Sequence, residues 1–338
     1  MHRRSNPAST CRRKFPILKI RMSQPLKPPA LRPGDSLRIL SLSSPVDPDR
    51  LDRGLAEIDR LGFRPLCDRP AVLATEGFFA GAHSSRCASL REALEDSATR
   101  AIIGSRGGYG AGYLLDALAV SRSLPPKIFL GYSDLTSLQL FFWKHLHWVT
   151  FYGPMAASGL DGGAGSPRGY DRSSLLAALT ESRQGYTLTL SGQPVVSGVA
   201  EGVLLGGCLT LLETSLGTPW ELDARGALLV LEDRGMKPWQ VDRALTHLRQ
   251  AGKFQGVAGI LLGDFPDCEA PPNTETVEDV ASRILAPLGV PVVWGAPIGH
   301  TTRPMLTLPL GIRARLVSPA ATLNAPPCME FLEPPCAP

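Results

Sequence analysis

Four short stretches carry residue types that do chemistry together. Ser133 stands where the apolar run KIFLGYS meets the helical pattern DLTSLQLFFWKH. A serine at a strand-to-helix turn exposes its hydroxyl at the carboxyl end of the strand, where open α/β sheets bind ligands. The full G-x-S-x-G elbow is absent, because Leu135 stands at the last glycine position, and a serine before a helix also serves as an ordinary N-cap. SRGGYGAG (105–112) directly follows a second apolar run. A glycine-rich turn brings backbone N–H groups close to an anion or an oxyanion, while Arg106 within it reads equally as a solvated charge. It is no P-loop, since G-x-x-x-x-G-K-[ST] does not occur. Glu232 and Asp233 end the run LLVLED. One of them can orient a histidine as a triad acid, although acids at strand ends are also common turn formers. Gly299-His300-Thr301 follows PVVWGAPI, which puts a histidine after a strand.

The elements that must position these residues alternate. Strand-like runs at 37–44, 63–66, 101–105, 128–133 and 148–153 are separated by helical patterns, one with Leu51, Leu55, Ile58 and Leu61 on a single stripe. Strand and helix in alternation predict a doubly wound parallel sheet. Residues 156–186 are rich in Gly, Ser and Ala and predict a linker or crossover. Further strands follow at TLTL, GVLLGG, 228–233, 259–265 and 291–297, with an amphipathic helix over 241–250. Residues 313–325 predict a last pair of short strands. The expected division is a tail over 1–27, an α/β nucleophile domain over 28–160, a linker over 161–190, a second domain over 191–325 and a loose Pro-rich end over 326–338.

The 338 residues carry 35 Lys and Arg against 31 Asp and Glu, and seven of the positive charges lie in residues 1–21. Without them 28 face 31, so the body is mildly acidic and lacks the basic face that nucleic-acid binding needs. The first 21 residues have no apolar stretch of the secretory kind. They are expected to be disordered or to precede a true start at Met22, with a transit peptide as the alternative. No apolar run reaches a membrane span. Seven scattered cysteines without a C-x-x-C pair point to reduced thiols and a cytoplasmic location. No H-E-x-x-H occurs, and His145 and His147 face different sides of a helix, so neither zinc nor another metal is expected.

Taken together, FFAG, AIIGSRGGYGAGYLLD, FLGYSDLTSL, TFYGPM, GGCLTLLETSLGTPWELD, LLVLEDRGMKPWQVDRALTHLRQAG and PIGHTTRPMLTLPLGIRARL resemble the LD-carboxypeptidase family. That family holds muropeptide LD-carboxypeptidases and microcin C resistance peptidases, and the likeness runs in order from about Pro33 to Leu316. The resemblance implies an N-terminal domain like class I glutamine amidotransferases and a β-rich α/β C-terminal domain. It implies a triad of Ser133, Glu232 and His300 at their interface, with oxyanion donors on the backbone of Gly108 and Asp134. It implies hydrolysis of the bond to the terminal D-Ala of cytoplasmic muropeptide tetrapeptides, no cofactor, and a homodimer. Arg106 is our own candidate for pairing with the substrate's terminal carboxylate. The chain departs from the family pattern at Cys208 (usually Asn), Met236 (usually Glu) and Tyr152 (usually His). Two alternatives accompany this reading. One is a resistance-type peptidase acting on aminoacyl-nucleotide analogues, with Trp143, Trp148, Trp220 and Trp239 as possible base platforms. The other is a non-catalytic anion-binding α/β protein.

Overall fold

The computed structural model describes residues 24–118, 124–323 and 325–338; the basic segment 1–21 lies outside them. The chain builds two sheets; Ser133 and Glu232 stand at the carboxyl ends of strands in the first and the second. The first contains β1 (Ser36–Leu40), β2 (Arg64–Leu66), β3 (Ala101–Gly104), β4 (Ile128–Gly131) and β5 (Thr150–Tyr152), all parallel. Residues of β3, β4 and β5 are buried throughout, which is why these segments read as continuous apolar runs and do not alternate. The helix Pro48–Arg60 covers one face. Asp47 caps it through the Arg50 N–H, and Leu51 and Ile58 point into the core.

The second sheet uses β6 (Thr187–Thr189), β7 (Gln193–Val196), β8 (Gly198–Cys208), β9 (Ala227–Glu232), β10 (Gly259–Leu262) and β11 (Val292–Trp294), then β13 (Arg313–Ser318) and β14 (Cys328–Phe331). Its order is β6-β14-β13-β8-β9-β10-β11-β7. The four central strands β8 to β11 are parallel, and antiparallel strands flank them on both sides. The predicted amphipathic helix spans Pro238–Gln250 and buries Val241, Ala244, Leu245 and Leu248. Mixed α/β architecture around parallel sheets is thus as expected from the alternation.

Several segments differ from the sequence reading. The expected linker carries the helix Arg172–Thr180, and of the strand pair expected over 313–325 only β13 lies there, its partner β14 following at Cys328–Phe331. Between β11 and β13 the chain returns to the first sheet, where β12 (Leu308–Leu310) pairs antiparallel with β5; three residues are too short a run to stand out. The Pro-rich end is not loose. β14 pairs with β13 and β6, Cys336 is buried, and the Ala337 N–H donates to the Pro28 carbonyl at 2.8 Å. Prolines between the short apolar pieces hid them. For the same reason residues 24–27 do not belong with a detached tail. The Leu26 N–H donates to the His147 carbonyl at 2.7 Å, and Lys27 pairs with Glu333 at 2.6 Å.

Candidate active site

Ser133 follows β4 and has φ +63°, a left-handed conformation that a non-glycine residue adopts at a cost of about 1–3 kcal/mol and that collects at functional turns. The turn of helix it begins is capped by no side chain. Among the described residues its Oγ has no hydrogen-bond partner, so the N-cap alternative does not hold. The glycine-rich loop lies against it. A Cβ on Gly107 would stand 2.8 Å from Ser133 Cβ and 2.9 Å from its Oγ, so only glycine lets the loop approach this closely. The loop is anchored at several further points, among them Arg86, which donates to the Gly110 carbonyl at 2.9 Å. The Tyr109 N–H donates to Ser44 Oγ at 3.0 Å, and the Ala111 N–H donates to Asp134 Oδ2 at 2.8 Å. Burial raises the Asp134 carboxyl above the ordinary range, against the hydrogen bonds that favour its charge. Among the described residues neither the Gly108 nor the Asp134 backbone N–H donates a hydrogen bond, so both remain available to a ligand.

Glu232 ends β9 and is fully buried. Its Oε2 accepts from the His300 backbone N–H at 2.8 Å and lies 2.8 Å from His300 Nδ1. Its Oε1 accepts from the Tyr152 hydroxyl. Gly299 has φ +59°, and a Cβ there would collide with the Glu232 carboxyl, so glycine lets the 299–300 backbone fold over the acid and present two donors. Burial pushes Glu232 up, but the His300 charge and three hydrogen bonds outweigh it and hold the carboxyl below its usual range. Burial pushes His300 down, and Glu232 more than reverses this, leaving the imidazole above its ordinary value. With Nδ1 committed to Glu232, Nε2 is the nitrogen left to exchange a proton.

Tyr132 joins the two halves. It directly precedes Ser133, its ring meets the His300 ring edge-on at 5.0 Å between centroids, and its hydroxyl is fixed by Ser158 Oγ at 2.6 Å. Among the described residues no hydrogen bond connects Ser133 Oγ with the His300 ring; such contacts often close only with substrate bound.

Asp233, the other candidate acid, points elsewhere. Its Oδ2 accepts from the Thr210 N–H at 2.8 Å and the Thr210 hydroxyl at 2.6 Å, with the Cys208 thiol at 3.5 Å. It therefore caps the turn after β8. Cys208 lies opposite Glu232 in the β8–β9 register, and burial with two nearby carboxylates keeps its thiol protonated. Met236 Sδ lies 3.9 Å from the Thr210 hydroxyl. Arg106 is exposed and donates to the Pro45 carbonyl at 3.2 Å, so it stands at the rim without a carboxylate partner among the described residues. Of the four candidate tryptophans, Trp148 is buried against Phe142 and cannot serve as a platform, whereas Trp239 is exposed beneath Arg243. Among the described residues no group of three His, Cys, Asp or Glu could hold a metal ion. Sequence reasoning missed Tyr152 as a partner of the acid and the Asp134 side chain as the tether of the loop; neither contact has a spacing signal.

Two family models match the chain: the LD-carboxypeptidase N-terminal domain over residues 37–153 and the LD-carboxypeptidase C-terminal domain over residues 201–316. The chain belongs to the LD-carboxypeptidase family of serine peptidases. It is 36% identical over 297 residues to the probable murein peptide carboxypeptidase of Bacillus subtilis, covering 86% of this chain and 91% of that one. It is 27% identical over 323 residues to the microcin C7 self-immunity protein of Escherichia coli, covering 86% and 93%. The crystal structure of muramoyltetrapeptide carboxypeptidase from Oxalobacter formigenes superposes with a TM-score of 0.73 at 27% identity, covering 89% of this chain and all of that one. The sequence resemblance and the two-domain fold it implied are thereby borne out.

Proposed function

We propose that this LD-carboxypeptidase-family chain hydrolyses the L,D-peptide bond that releases terminal D-Ala from muropeptide tetrapeptides, using Ser133, His300 and Glu232 as a triad. The observation that carries the reading is the buried Glu232 carboxylate holding His300 by Nδ1, together with a strained serine whose hydroxyl has no partner among the described residues. His300 Nε2 takes the Ser133 proton as Oγ attacks the carbonyl carbon. The Gly108 and Asp134 N–H groups stabilise the tetrahedral oxyanion, a contribution of about 3–4 kcal/mol per donor. The proton passes from His300 to the D-Ala nitrogen, the C–N bond breaks and an acyl-serine ester remains. His300 then deprotonates water, which attacks the ester, and the proton returns to Ser133 Oγ. Glu232 stays ionised throughout and stabilises the imidazolium. Arg106 at the rim meets the product-side carboxylate. The proposal divides the chain into a nucleophile domain ending near residue 160 and a second domain from about 191, working as a cytoplasmic homodimer.

Mass spectrometry of the protein incubated with muropeptide tetrapeptide tests the reading. Loss of one alanine residue per substrate, blocked in Ser133→Ala, is expected. An unchanged tetrapeptide alongside turnover of an aminoacyl-sulfamoyl nucleotide would replace the substrate assignment.

A further inference from the structure

The triad reading leaves one buried group without a role. Tyr152 ends β5 and lies opposite Gly131, the last residue of β4, in the parallel register. It is fully buried. Its hydroxyl donates to Glu232 Oε1 and is 3.4 Å from the Ser133 N–H, from which it accepts. Resting on the triad reading above, we propose that Tyr152 is a positioning residue that couples the acid to the nucleophile's turn across the boundary between the two sheets.

The geometry leaves Glu232 with no substitute partner. Both donors of His300 converge on Oε2, and Oε1 has only the tyrosine among the described residues. With the side chain sealed from water, loss of that donor leaves half the carboxylate unsatisfied and its charge answered by His300 alone. At the other end, the same hydroxyl holds the amide of the residue with φ +63°. Charged and titratable groups surround the pair: the Cys208 thiol from the end of β8, Asp233 and Arg234 following β9, and Tyr132 from the nucleophile turn. Burial, then the Glu232 charge, lifts the Tyr152 hydroxyl well above its ordinary range. It therefore remains a donor wherever the enzyme works.

The test is Tyr152→Phe, read in two ways. In turnover of muropeptide tetrapeptide, kcat should fall about 10–100-fold with KM within about twofold, as for loss of one charge-assisted hydrogen bond. In the resting protein, the His300 titration followed by NMR should move up by about 0.5–1 pH unit, because the Glu232 charge is no longer shared with the tyrosine donor. Site-specific 3-fluorotyrosine at 152 keeps the shape and strengthens the donor, so the titration should move down. It also decides the matter if the phenylalanine variant does not fold. Unchanged kcat and titration in folded Tyr152→Phe, or no movement with 3-fluorotyrosine, overturns the proposal. The NMR readout needs no substrate. A shift in a protein that leaves tetrapeptide intact upholds the coupling and rejects the proposed substrate.

Discussion

Glu232 and Asp233 are chemically alike and adjacent, yet their surroundings separate them. Glu232→Gln keeps the shape but removes the charge supporting the imidazolium; kcat should fall by about 10⁴-fold, the scale seen for serine proteases, with KM little changed. Asp233→Asn should lower the melting temperature more than the rate, because its oxygens serve Thr210 and the Arg234 N–H. Steady-state kinetics and thermal melts on both variants check this, and the reverse pattern would exchange the two roles. Ser133→Ala should lower turnover at least about 10³-fold with almost no loss of melting temperature, since the hydroxyl has no partner among the described residues. The pH dependence has two opposed signs. His300 is raised above its ordinary value of about 6.5, and Glu232 is lowered below its ordinary value of 4.5. The histidine's stabilisation is complete below pH ~6.5 and is lost as pH rises through the folded value; the glutamate's is present above ~4.5 and lost as pH falls through its folded value. The proposed mechanism needs neutral His300, so kcat/KM should rise with pH through an apparent value above ~6.5 as the ion pair's stabilisation declines. An acid limb that persists in His300→Ala would reject the histidine as base.

At the scale of elements, the sequence showed the central strands because burial made them apolar, and it showed the helices Pro48–Arg60 and Pro238–Gln250 through their stripes but not Arg172–Thr180 or Val277–Leu285. It also put Ser133, Glu232 and His300 at strand ends. It did not show β7 and β12, short edge strands carrying Pro194 and Pro309, or β14, which lies between β6 and β13 after a Pro-rich approach; nothing in three or four residues distinguishes them from loop. The residues alone did not show which acid meets His300, because that choice depends on the backbone turn at Gly299; only the family resemblance pointed to Glu232. Gly299→Ala is therefore a sharp test at this scale. The added methyl collides with the Glu232 carboxyl and forces a left-handed alanine. Activity should fall at least tenfold although no triad atom is removed, and a variant with wild-type kcat would show that the turn tolerates a side chain.

For the whole molecule, the packed C-terminal end makes a claim about truncation. A chain ending at residue 325 loses β14, uncovers β13 and β6, and removes Cys336 and Ala337 from the start of the first sheet's side of the molecule. It should melt several degrees lower or aggregate through the opened edge; an unchanged melting curve would mean the end contributes nothing. The return of the chain through β12 has a different consequence, one of time. During synthesis the parallel strands of the nucleophile sheet leave the ribosome first, but the strand that closes the β5 edge is encoded about 150 residues later. At roughly 5–20 residues per second that edge stays open for about 8–30 s. It ends in Tyr152, the residue that meets Glu232 from the later half. The nascent first half therefore waits with an unpaired, apolar strand at its margin, and the strand that protects it from other chains begins only eight residues after His300.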